Sequence, residues 1–127
     1  MYTHKITDTY QTDAGVISSV ISTYTGDTEV GFDGVIAANT TNQSIDVNAK
    51  KTLIQSLLLT SNVAVSILTN SSSSPTQTIT LAAGQQINWG TDHTEANPIT
   101  ADIVTGMFIT NATTGPATVK IRFLMNP

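Results

Sequence analysis

A chain of 127 residues without a cysteine suits one domain with its own core, and it excludes a disulfide framework or a thiolate metal centre. Charge is sparse, with five Lys and Arg against nine Asp and Glu for a net −4, and no basic stripe is present to meet a phosphate backbone. No apolar run approaches the roughly 18 residues that a membrane helix needs, and residues 1–10 lack the apolar centre of a secretory signal, so neither nucleic acid nor membrane is an expected partner.

What replaces charge is hydroxyl: the chain holds 23 Thr and 11 Ser, and no charged side chain occurs from Thr52 to Thr91. Thr favours strands, and alternation rather than helical periodicity runs through the chain. Tyr2, His4, Ile6, Asp8 and Tyr10 share one face of a first strand. With so few core candidates, residues 1–14 are expected to form an edge strand or an arm, and residues 15–127 the domain proper. The strand over 16–24, VISSVISTY, carries its apolar residues in pairs, Val16-Ile17 and Val20-Ile21. That spacing fits a two-sided strand or an amphipathic helix, and β-branched content selects the strand.

Thr25-Gly26-Asp27 turns the chain into a strand over 28–36, with Val30, Phe32 and Ile36 on one face. Residues 37–42 read as a loop, and Ile45 and Val47 as a short strand. The densest apolar stretch follows, LIQSLLLTSNVAVSIL at 53–68, predicted as two buried, neighbouring strands separated by Thr60-Ser61-Asn62. NSSSSP at 70–75 is a tip. Ile79 and Leu81 point inward from the next strand, and Ile87 and Trp89 from the one after. The longest polar loop, GTDHTEANP, occupies 90–98, and long loops in compact domains are often functional. Gly106 breaks the 100–111 segment in two. The last strand, 117–125, turns Val119, Ile121, Phe123 and Met125 inward, with Lys120 and Arg122 opposite. Eight to ten short strands at this spacing predict a single all-β domain, an antiparallel β-sandwich or jelly roll.

Chemistry-bearing motifs are scarce. No nucleophile elbow, phosphate loop or His-Glu-x-x-His helix is present, so no catalytic residue and no cofactor is expected. Asp92, His93 and Glu95 make the best metal-like cluster, and Asp27, Glu29 and Asp33 share a strand face. Neighbouring strand positions point apart and acidic strand faces are ordinarily solvated, so no metal is expected at either. Trp89, the sole tryptophan, reads as a core residue at the end of an apolar strand. Were it exposed beside its polar loop, it would suit stacking against a sugar ring. Asn39, Asn42, Asn70 and Asn111 each begin a glycosylation-type triplet, which a Thr- and Ser-rich chain produces by chance. The weakly cored first strand is suited to addition at a neighbour's sheet edge.

Three segments, GVIAANTTNQSIDV at 34–47, LTNSSSSPTQTITLAAGQQINW at 68–89 and NPITADIVTGMFITNAT at 97–113, resemble small proteins encoded among the structural genes of tailed bacteriophages. The resemblance covers residues 28 to the C-terminus and is weaker over the first 27. It implies a virion component made in the host cytoplasm, first of all a capsid decoration (cement) protein on the capsid exterior. The implied partners are the major capsid protein, at junctions between its subunits, and further copies of the chain, as a trimer. Two alternatives stand beside it: a carbohydrate- or receptor-binding module on the virion, and a small tail or head-completion protein. The expected partner-binding residues lie on the arm (Tyr2, His4, Ile6, Tyr10), at the tip (Asn70, Ser72, Ser74, Pro75) and around the long loop (Trp89, Asp92, His93).

Overall fold

The computed structural model describes residues 1–126 and is all-β, with ten strands in three antiparallel sheets. β3 (Thr28–Ile36), β10 (Ala117–Met125), β5 (Ile54–Ser61) and β8 (Gln86–Gly90) form one four-stranded sheet in that order. β4 (Thr40–Ile45), β9 (Met107–Asn111), β6 (Val65–Thr69) and β7 (Thr78–Leu81) form the second. The chain crosses between the two sheets at almost every connection, and β6–β7 alone is a hairpin within one sheet. This is the eight-stranded jelly-roll order, two interlocked Greek keys closing on one core.

Inward residues alternate as the sequence reading predicts. Val119, Ile121 and Phe123 of β10 are shut from solvent, as are Leu59 of β5, Ile67 of β6 and Ile109 of β9. β10 is central because Ile121 pairs with Phe32 on one side and Leu59 on the other. The 53–68 stretch differs from expectation. Its two halves, β5 and β6, do not pair but lie in opposite sheets and face each other across the core. The three residues Asn62, Val63 and Ala64 between them carry the chain over the sandwich edge, which a hairpin turn would not do.

Smaller differences have local causes. A strand begins at Thr40 within the expected 37–42 loop, because β9 offers an edge that pairs Thr40 with Asn111. Before Gly106 the chain makes only an isolated bridge, Ala49 to Ile103. Gly106 itself has φ +86°, and a Cβ there would meet the Ile45 carbonyl oxygen at 2.7 Å.

The third sheet is a two-stranded ribbon of β1 (Tyr2–Thr12) and β2 (Gly15–Gly26). The strand over 16–24, placed with the domain proper by sequence, pairs only with β1. The arm is therefore a hairpin, and the sandwich begins after Gly26.

Candidate functional site

The ribbon's root lies on the outer face of the first sheet and touches all four of its strands. Ile6 and Tyr24 bury Leu124 of β10 in a small apolar cluster of their own. His4 receives or donates at both ring nitrogens, Nδ1 with the Ser56 hydroxyl of β5 at 2.7 Å and Nε2 with the Glu29 carboxylate of β3 at 2.8 Å. Arg122 stands beside Glu29 at 3.9 Å and Asp33 at 3.5 Å. The acidic strand face read from sequence is thus met by an arginine and a histidine, and among the described residues no group of three His, Asp or Glu is placed to hold a metal ion.

At β8 the fit is closer still. A Cβ on Gly90 would fall 2.0 Å from the Tyr24 ring, so the ring occupies the space that any other residue would fill. The Tyr24 hydroxyl donates to the Asp92 carboxylate. Burial pushes the Tyr24 hydroxyl above its ordinary pKa, and the bond to Asp92 adds to the rise. That same bond holds the Asp92 carboxyl below its ordinary range. His93 packs edge-on against Tyr24 with ring centroids 6.4 Å apart. Its Nε2 is buried without a hydrogen-bond partner among the described residues, and the Asp8 carboxylate of the arm stands 4.0 Å away, beyond bonding distance. Both histidines of the chain therefore sit at the joint between arm and sandwich.

Two clefts open along this joint. One, of about 380 Å³, runs between β1 and the outer sheet face, bounded by Lys5, Thr7, Leu58, Asn88 and Arg122. The other, of about 590 Å³, lies past the β8 edge between Asp8, Gln86, Asn88, Trp89, His93 and Glu95. Trp89 is half-buried: its indole ring packs on the core and its N–H donates to the Glu95 carbonyl at 2.8 Å, leaving an edge at the cleft wall.

The expected site residues are thereby divided. The structure brings His4, Ile6, Asp92 and His93 together at the root, with Trp89 in the adjoining cleft. Tyr2 is exposed beside the root, and Tyr10 lies far out on the ribbon. The 70–75 tip is elsewhere. Asn70, at φ +70°, accepts from the backbone N–H groups of Val104 and Thr105 and donates to the Asp102 carbonyl, so its amide ties the tip to the 102–105 segment. Ser72 and Ser74 are exposed and Pro75 is half-buried.

Beyond the root the ribbon stands free. Every residue from 9 to 21 is exposed except the half-buried Gly15. Val16, Ile17, Val20 and Ile21 are each more than half exposed, as is Tyr10. Tyr10 and Val20 continue the face that carries Ile6 and Tyr24 nearer the root, while Ile21 lies on the opposite face. Sequence reading missed this part of the site, although the paired Val-Ile spacing was its signal: a strand apolar on both faces needs two covers.

Compared with models of protein families, with curated proteins and with solved structures, the chain matches none.

Proposed function

We propose that this chain is a non-enzymatic structural protein of a phage virion, a capsid decoration protein on the capsid exterior. It binds where major capsid subunits meet and stiffens the shell. The observation that carries the reading is the free ribbon: a closed jelly roll holds out a hairpin whose apolar residues its own domain leaves uncovered. Such a ribbon suits a strand- or groove-type attachment to a neighbour. A charge-poor, Thr-rich sandwich supplies rigidity, and many copies on one shell make weak single contacts sufficient. In this reading the chain also binds itself, as a trimer. The test is a mass-spectrometric inventory of purified virions with a copy number. Hundreds of copies per particle support the proposal. A dozen or fewer move the chain to the neck, tail or fibre, and absence from the particle overturns it.

A second reading, a carbohydrate-binding module, has its own support in the cleft past β8. Trp89, two amide side chains (Gln86, Asn88), a carboxylate (Asp8) and His93 line it together. Jelly rolls serve both as capsid and as lectin domains, so the fold alone does not choose between them. Titration of Trp89 fluorescence with a panel of glycans decides: no response from any glycan removes this reading.

A further inference from the structure

We propose that the free end of the ribbon seats in an apolar groove on a second copy of this chain, so that copies join tip to groove. The groove, of about 410 Å³, is lined by Ala49, Leu53, Ile103, Val104 and Met125, with Lys50 and Asp102 at its margin. Val104 is 68% exposed, the most exposed large aliphatic side chain of the sandwich.

Four observations lead here. The first is complementary chemistry. The ribbon end offers Val16, Ile17, Val20 and Ile21 together with the exposed carboxylate of Asp13. No Lys, Arg or His occurs between Ile6 and Ala49. The groove offers an apolar floor beside Lys50 and Lys51, the one adjacent pair of cations in the sequence. The Asp102 carboxylate accepts from the Lys51 backbone N–H at 2.8 Å, which draws the one acid of the groove margin to the main chain.

The second is reach. Met125, in the groove wall, abuts Gly26 at the ribbon's root, where a Cβ would meet the Met125 carbonyl oxygen at 2.5 Å. The tip lies at the far end of an 11-residue strand, about 33 Å away at roughly 3.3 Å per residue. With its root held by His4, Ile6 and Tyr24, the ribbon keeps its tip away from the groove of its own molecule.

The third is the exclusion of the simplest alternative. Two ribbon ends pairing with each other would bring Asp13 of both copies together with no Lys, Arg or His on that end to offset them, and like charges at a contact disfavour it. The fourth is the ribbon's two-sidedness. An isolated two-stranded hairpin is marginal in water, and one apolar on both faces gains from any apolar partner surface that covers one of them.

A tip-to-groove contact uses different patches on the two copies. It therefore propagates, closing into a ring if the rotation allows and otherwise extending. The inference deepens the self-association proposed above but does not depend on the capsid reading, because its test needs no shell.

The test uses the purified full chain in sedimentation equilibrium and light scattering across a concentration series. The wild type is expected to associate. Ile17→Lys, at the tip, and Val104→Asp, in the groove, are each expected to weaken association roughly tenfold or more, since each removes a buried aliphatic contact. Both sites are exposed, so melting temperatures should stay with the wild type and exclude misfolding as the cause. Mixing the two variants regenerates one intact tip and one intact groove, and a 1:1 complex is expected where each variant alone is a monomer. Lys50→Glu with Lys51→Glu should weaken association, and adding Asp13→Lys should restore it. A monomeric wild type at all concentrations overturns the proposal. So does association that Ile17→Lys abolishes and Val104→Asp leaves unchanged, which would mean that ribbons pair with each other.

Discussion

Asn111 shows how a single polar side chain can be indispensable inside an apolar sandwich. It is fully buried, its side-chain NH2 lies within hydrogen-bond distance of the carbonyls of Ile36, Ala37 and Gly115, and its carbonyl oxygen accepts from the backbone N–H and hydroxyl of Thr113. Asn111→Ala removes this donor from the Ile36 and Ala37 carbonyls, while the Thr113 hydroxyl stays within reach of Gly115 at 2.9 Å, and a buried polar group left unpaired costs about 1–3 kcal/mol. The variant should lose about 3 kcal/mol of stability, read as a lower urea midpoint with the slope unchanged. Asn39, Asn42 and Asn70 act differently, each holding a positive φ that Asn tolerates better than most residues. The asparagines that begin the glycosylation-type triplets are thus turn residues (Asn39, Asn70), a strand irregularity (Asn42) and a buried plug (Asn111).

At the joint, Gly90 and Tyr24 make a second residue-scale prediction. Gly90→Ala forces the Tyr24 ring off β8, at a cost typical of overpacking, about 1–3 kcal/mol. It should raise amide exchange in the root half of β1 and β2 while leaving β9 and β10 protected. The Tyr24–Asp92 bond also gives the joint a pH window. Asp92 is held below its ordinary 3.8, so its contribution is complete above that value and is lost as pH falls through the lower folded value. Tyr24 is raised above its ordinary 10.0, so its contribution is complete below that value and is lost as pH rises through the higher folded one. Docking of the ribbon should hold between these limits and loosen beyond each. Exchange protection of the β1 amides measured against pH checks this, and Tyr24→Phe should flatten the alkaline limb.

At the scale of elements, the ribbon and the sandwich are unequal partners. The free end contributes almost no buried surface to its own molecule, since residues 9–21 are exposed save for Gly15. Joining Asp8 to Val20, which face each other in register, through an Asn-Gly turn removes that end with a loop suited to a two-residue hairpin. The shortened chain should melt within about 3 °C of the wild type, because exposed substitutions rarely exceed half a kcal/mol. The root is another matter. Leu57-Leu58-Leu59 is apolar at three successive positions because both faces of β5 are covered. Leu57 and Leu59 face the core, and Leu58 lies under the ribbon. Leu124 has the same explanation on β10. In sequence these outward leucines look like irregularities in an alternating pattern, and the ribbon above them accounts for the burial of Leu124 and the partial cover of Leu58.

For the whole molecule, the strand order makes the last strand a keystone. β10 lies between β3 and β5, pairing with both along most of its length. A chain ending before Ala117 loses the centre of one sheet and with it Val119, Ile121 and Phe123. Such a truncation should give no cooperative transition by circular dichroism, whereas loss of the ribbon end should leave one. The same long-range pairings, first sandwich strand to last, impose a large loop-closure cost and place folding among the slower two-state domains.

Much of this was written along the chain. Alternation of apolar and polar residues determined the strands and their inward faces, because a half-buried sheet admits one pattern only. Frequent turn signals limited strand length, and together these made an antiparallel β-sandwich legible before any coordinates. The sole tryptophan and the polar loop after it were legible as a locus worth watching. Which strands pair was not. β5 and β6 are adjacent in sequence and equally apolar, yet they fall in opposite sheets, since pairing depends on which edges the rest of the chain leaves open. Nor could the sequence tell a covered Leu124 from an uncovered Ile21, because an outward apolar residue is buried only if another element happens to lie over it. Tertiary structure alone decided that His4, Tyr24 and the adjacent pair Asp92 and His93, from three distant parts of the chain, meet at one joint, and that the Val-Ile pairs beyond it stand free.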